Sequence, residues 1–141
     1  MKYIYEIGIV FRGFILINRH FKEIPGKEKS EPHKDLRGPF FSAINSFVSK
    51  TYINDTLEYL ESGNFLFIFK IGEIKAKDNP SKEPVIFYGL VKKKGKPEKQ
   101  VKDFLKKIEP LLELFIKRYN NLDFTNELHL IQDFGFEFLG L

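Results

Sequence analysis

Apolar side chains dominate residues 3–21, YIYEIGIVFRGFILINRHF, with Glu6 and Arg12 interrupting them before the polar end at Asn18, Arg19 and His20. A membrane-spanning helix needs about 20 consecutive apolar residues. Two internal charges, together with Gly8 and Gly13, work against one here. Tyr3, Ile4, Tyr5, Ile7, Ile9, Val10 and Phe11, then Phe14, Ile15 and Ile17, are the β-branched and aromatic types that favour strands. Arg12 and Gly13 fall where a tight turn would, and glycine supplies the positive φ it requires. The pattern predicts a hairpin with strands over 3–11 and 14–21.

Residues 22–34, KEIPGKEKSEPHK, carry Pro25, Gly26 and Pro32 and read as an exposed loop. Phe40, Ala43, Ile44, Phe47, Val48 and Tyr52 then recur at helical spacing, predicting a helix over 39–53 with Pro39 in its first turn and Asn54 and Asp55 past its end. Three strands are predicted next, over 56–62, 64–74 and 85–93. Ser62, Gly63 and Asn64 connect the first two, and the longer polar stretch KAKDNPSKEP leads to the third. The period then changes. Val101, Phe104, Leu105, Ile108, Leu111, Leu112, Phe115 and Tyr119 form one helical stripe, closed by Asn120 and Asn121. Pro110 either kinks this helix or opens a second one. TNELHLIQDFG predicts a last helix, capped by Thr125 or Asn126 and ended by Gly135, and the terminal FEFLGL is expected to dock on the body.

The faces of the strands predict the assembly. Phe65, Phe67, Phe69 and Ile71 oppose Leu66, Ile68 and Ile74; Val85, Phe87 and Val91 oppose Ile86, Tyr88 and Leu90; Tyr5, Ile7 and Ile9 oppose Ile4 and Val10. Strands apolar on both faces belong in the middle of a sheet covered on both sides. The strand 56–62 mixes Leu57, Tyr59 and Leu60 with Glu58 and Glu61, and the second strand ends polar, so these two belong at the edges. With hairpins joining neighbours, the simplest arrangement is an antiparallel sheet of order 2-1-5-4-3. The helix over 39–53 would cover one face and the C-terminal helices the other. The expected fold is α+β, a three-layer α/β/α sandwich of succession β-β-α-β-β-β-α-α, in one domain over 1–141.

Composition narrows the chemistry. The chain has no Cys, which excludes disulfides, thiol nucleophiles and cysteine-ligated metals. Net charge is +4, but Arg12, Arg19, Arg37 and Arg118 are the only arginines, and lysine is the less discriminating phosphate reader. No arginine and aromatic alternation marks a nucleic-acid surface, so none is expected. Asn54, Asp55 and Thr56 fit the glycosylation pattern, yet the N-terminal segment does not read as a signal sequence, and the expected location is the cytoplasm.

A catalytic or metal site is not expected either. His20, His33 and His129 are scattered, and His129 reads as a structural histidine. Gly26, Lys27 and Ser30 lack the spacing and the strand-to-helix setting of a phosphate loop. Glu58 and Glu61, three apart in a strand, point to opposite faces. No cofactor is implied.

Two binding surfaces stand out. In VKKKGKPEKQVK, Lys92, Lys93, Lys94, Lys96 and Lys99 crowd the turn before the long helix and could meet an anionic membrane surface or an acidic partner. Along the edge strand, Leu57, Tyr59 and Leu60 offer an apolar face to a partner or to a second copy of the chain.

The succession of elements, from about residue 3 to 134, resembles the longin domains of vesicle trafficking. IGIVFRGFILI, FFSAINSFV and FLFIFKIGEI stand where that family has its first hairpin, first helix and fourth strand. The resemblance implies a non-enzymatic adaptor that binds a small GTPase or another longin or roadblock protein, with homodimerisation and peripheral contact with anionic membrane as further expectations. A Lys-, Ile- and Asn-rich composition suggests an AT-rich microbial genome, an archaeal member being the expectation. The alternative is a small-molecule sensor of the PAS or GAF type, which shares the strand order and would require an internal ligand cavity.

Overall fold

A computed structural model describes residues 3–21 and 59–140. They form β1 (Ile4–Phe11), β2 (Phe14–His20), β3 (Tyr59–Ser62), β4 (Phe65–Ile74), β5 (Glu83–Lys92), a long helix α1 (Pro97–Tyr119) and a C-terminal 3-10 helix (Leu128–Gly140). The strands make one antiparallel five-stranded sheet of order β2-β1-β5-β4-β3, the order expected, and the fold is α+β. The loop over 22–34, the helix over 39–53 and its sheet-covering role, Asn54 to Glu58, His33 and the Gly26-Lys27 pair lie outside the described residues.

β4 and β5 pair over their full lengths, from Phe65↔Lys92 to Ile74↔Glu83, because both carry apolar side chains on both faces. The face toward α1 holds Ile7, Ile9, Phe11, Leu66, Ile68, Val85, Phe87 and Val91. The opposite face gathers Tyr5, Val10, Phe67, Phe69, Ile86, Tyr88 and Leu90, all buried. One detail departs from strict alternation: Ile4 joins Ile7 and Ile9, whereas Tyr5 sits with Val10. The β1–β5 register shifts between Ile4 and Glu6, and the extra residue of such a bulge reverses the facing of everything before it.

The β1–β2 turn has positive φ at both Arg12 (52°) and Gly13 (81°). A non-glycine residue in this region needs support. The Arg12 guanidinium donates to Glu83 through Nε (2.8 Å) and Nη2 (2.6 Å) and to Asp78 through Nη2 (2.8 Å), tying the turn to the start of β5. Hydrogen bonds from Arg12 are the main reason that both carboxyls are held below their ordinary values.

α1 is one continuous helix with Pro97 in its first turn and Pro110 inside it. Pro110 is exposed, so the hydrogen bond it cannot make is lost on the solvent side, where water serves the orphaned carbonyl. The buried stripe of Val101, Phe104, Leu105, Ile108, Leu112, Phe115 and Tyr119 packs on the sheet. Gly89 lets the helix approach this closely: a Cβ there would lie 2.2 Å from the Phe104 ring. Past the helix, the Asn121 N–H donates to the Lys75 carbonyl (2.6 Å) and the Lys75 N–H to Asn120 Oδ1 (3.0 Å).

The last helix differs from the expectation in type, start and end. It is 3-10, and the cap of the preceding turn is Asp123, whose Oδ1 accepts the N–H groups of Thr125 (3.0 Å) and Asn126 (3.1 Å). Gly135 does not end it. Ile131, Phe134 and Phe138 dock in the core on both sides of that glycine, and this packing overrides the local stop signal. Among the described residues no helix is long and apolar enough to cross a membrane.

Candidate functional site

β2 is the last strand on its side of the sheet, and the 3-10 helix packs beside it. Phe134 and Phe138 hold the helix by meeting Phe87 edge-on at 6.3 and 6.1 Å between ring centres. Between them Phe136 is turned outward and 62% exposed, with Arg19 of β2 5.5 Å above its ring. A Cβ on Gly135 would meet Ile17 of β2 at 3.3 Å, which shows how closely helix and strand lie. Phe14 at the start of β2 is 73% exposed. Every exposed large hydrophobic side chain among the described residues lies on β2, directly after it, or on this helix: Phe14, Ile15, Phe21, Leu128, Leu130 and Phe136. Apolar side chains concentrated along an edge strand mark a surface built to be covered.

The opposite edge is less open. Tyr59 and Leu60 of β3 are half-buried, Tyr59 against the core under α1 and Leu60 against the other face. Leu57 lies outside the described residues. The lysines divide. Lys92 is exposed at the end of β5, and Lys93 pairs through Nζ with Glu61 of β3. Lys94, Lys96 and Lys99 converge with Tyr3, Gly95, Gln100 and Asp103 around an open cleft of about 320 Å3. Burial, and then the Asp103 carboxylate, push the Tyr3 phenol above its ordinary value, so it remains a protonated donor at neutral pH.

A third cluster was not anticipated. Glu6, in the middle of β1, is fully buried. The Tyr88 hydroxyl donates to its Oε2, and His20 Nδ1 of β2 lies 3.3 Å from its Oε1. Asn18 Nδ2 stands 3.4 Å from the other ring nitrogen of His20. The Tyr88 ring fills the space above Gly8, where a Cβ would come within 2.5 Å of it. The cluster joins three neighbouring strands through side chains and fixes the imidazole orientation. The signal available in the sequence was a lone carboxyl in a strand otherwise apolar on both faces, which requires a buried partner.

Among the described residues no three His, Asp or Glu side chains gather as a metal site, and His129 is exposed on the 3-10 helix. Comparison with known protein families, curated proteins and solved structures finds no match.

Proposed function

We propose that this chain is a non-enzymatic protein-interaction module of the longin kind, binding a small GTPase or another trafficking-type subunit such as a longin or roadblock protein. It works in the cytoplasm, with at most peripheral contact with anionic membranes. The observation that carries the reading is the strip of exposed apolar side chains along β2 and the 3-10 helix, at an edge of the sheet. Such a strip takes a partner's apolar side chains, while the outer backbone of β2 can accept an added strand. The antiparallel order 2-1-5-4-3 with a long helix after β5 agrees with the longin resemblance, which is an argument from fold and so lends less weight than the surface itself. β2 could also pair with β2 of a second copy, giving a homodimer through the same strip.

Affinity capture from extracts of the source cells tests the reading, with the wild type set against Phe136→Glu. The reading expects a small GTPase or a trafficking-type subunit that the wild type retains and the variant loses. The same captured proteins with both baits, or a set without any such subunit, would refute it.

A further inference from the structure

The cleft at the start of α1 has a chemistry of its own, independent of the apolar strip. Lys94, Lys96 and Lys99 line it together with one acidic residue, Asp103, so its described lining residues carry a formal net charge of +2. None of the ion pairs among the described residues includes Lys94, Lys96 or Lys99, in contrast with Lys93, which is neutralised by Glu61. The loop that presents them is held from below. Gln100, only 8% exposed, accepts the Lys94 N–H at Oε1 (2.8 Å) and donates from Nε2 to the Lys92 carbonyl (2.7 Å). That uses both ends of a buried amide to hold the backbone on either side of Lys93, where the lysine-bearing loop leaves β5. The 23-residue helix adds to the same field: Lys96 provides no side-chain cap, and the first intrahelical bond runs from the Gln100 N–H to the Lys96 carbonyl (3.2 Å).

We propose that this cleft binds the phosphate monoester of a small phosphorylated ligand. Charge selects the class. A phosphate monoester carries about −1.5 to −2 at neutral pH and offers three acceptor oxygens. It thereby matches the lining, whereas a diester brings half that charge and a polyphosphate brings more than the lining balances. Size agrees as well, since about 320 Å3 is near the lower end of small-ligand sites and takes a phosphate with a small sugar or polyol. The monoester has two natural sources, a soluble metabolite and a lipid headgroup, and the chemistry at the cleft is the same for both.

Glycerol phosphate is the probe for the soluble source, followed by heteronuclear NMR of the full chain. Vesicles of phosphatidylcholine with phosphatidic acid, a monoester, or with phosphatidylserine, a diester, probe the lipid source by co-sedimentation. Saturable shifts confined to the amides of residues 94–103 are expected, or retention on phosphatidic acid in preference to phosphatidylserine; either outcome supports the cleft and identifies its source. A Lys96→Gln, Lys99→Gln double variant should weaken the interaction about tenfold or more, charge-assisted hydrogen bonds being lost. Asp103→Asn should strengthen it, and Asp133→Asn on the remote 3-10 helix should not. Binding should fade below pH of about 6 as the monoester takes up its second proton. The proposal is overturned if neither glycerol phosphate nor phosphatidic acid vesicles bind, if dimethyl phosphate binds as well as glycerol phosphate, if the double variant leaves binding unchanged, or if glycerol phosphate does not bind and both vesicles are retained equally.

Discussion

Phe134→Ala tests how the apolar strip is held in place. Phe134 is fully buried, and its ring meets Phe115 at 5.2 Å, Tyr119 at 6.0 Å, Phe138 at 6.0 Å and Phe87 at 6.3 Å, with the Arg118 guanidinium carbon 5.4 Å from its centre. Truncating a core phenylalanine costs about 3–5 kcal/mol. Edge-to-face pairs contribute about 0.5–1.5 kcal/mol each beyond burial, and four of them converge here, so the upper half of that range is expected, about 4 kcal/mol. Against a domain stability of about 5–15 kcal/mol this is a large fraction. With a urea m-value of about 2 kcal/mol/M, the unfolding midpoint should fall by roughly 2 M at unchanged m. Phe136→Ala, two residues on but largely exposed, should cost no more than about 1 kcal/mol, the cation–π contact with Arg19 included. Urea titration by circular dichroism measures both. A loss under about 1 kcal/mol for Phe134→Ala, or equal losses for the two variants, would refute the packing described.

Three further perturbations probe other joints of the fold. Gly89→Ala would drive a methyl group into the Phe104 ring and should destabilise by about 1–3 kcal/mol, with Phe104→Leu restoring part of the loss in the double variant; additive losses in a thermodynamic cycle would contradict the contact. Tyr88→Phe removes one donor from the buried Glu6 carboxyl and should cost about 1–3 kcal/mol in chemical unfolding, an unchanged midpoint arguing against the bond. Arg12→Gln should flatten the acid limb of stability. Asp78 and Glu83 are held below their ordinary values of 3.8 and 4.5, so the unfolded chain binds more protons as the medium is acidified through that range. Their contribution is present above the unfolded values and is lost as pH falls through the folded ones. Wild type and variant should converge toward pH of about 3, and parallel curves from pH of about 6 downward would exclude the network.

Much of the sheet could be read from residue order, because β4 and β5 carry large apolar side chains on both faces and only a doubly covered central strand tolerates that. Asn18, Arg19 and His20 marked β2 as an edge for the converse reason. What was not legible depends on contacts distant in sequence. The bulge at Tyr5 leaves no trace in alternation, since tyrosine and isoleucine fit either face. Gly135 is a sound stop signal locally, and only the pockets for Phe134 and Phe138 carry the helix past it. Glu6 looked like an interruption of an apolar run, whereas Tyr88, 82 residues away, makes it part of the core. The lysine cluster was visible as composition, but its division into a paired Lys93 and three residues around a cleft follows from where β3 and Gln100 lie. The apolar surface falls between the two: Phe14 and Ile15 sit in the predicted edge strand, Phe14 paired with Phe11 on the α1 face and Ile15 with Val10 on the other, yet the addition of Leu128, Leu130 and Phe136 requires the 3-10 helix to lie beside that strand.

If a protein partner covers the edge formed by β2 and the 3-10 helix, site-specific photo-crosslinking in the source cells will capture it there. A photoreactive amino acid at position 136 is compared with one at position 106, on the exposed side of α1. A discrete cross-linked species containing a small GTPase or another trafficking-type subunit is expected from position 136, and none from position 106. Equal cross-linking from both positions, or none from position 136, would contradict it.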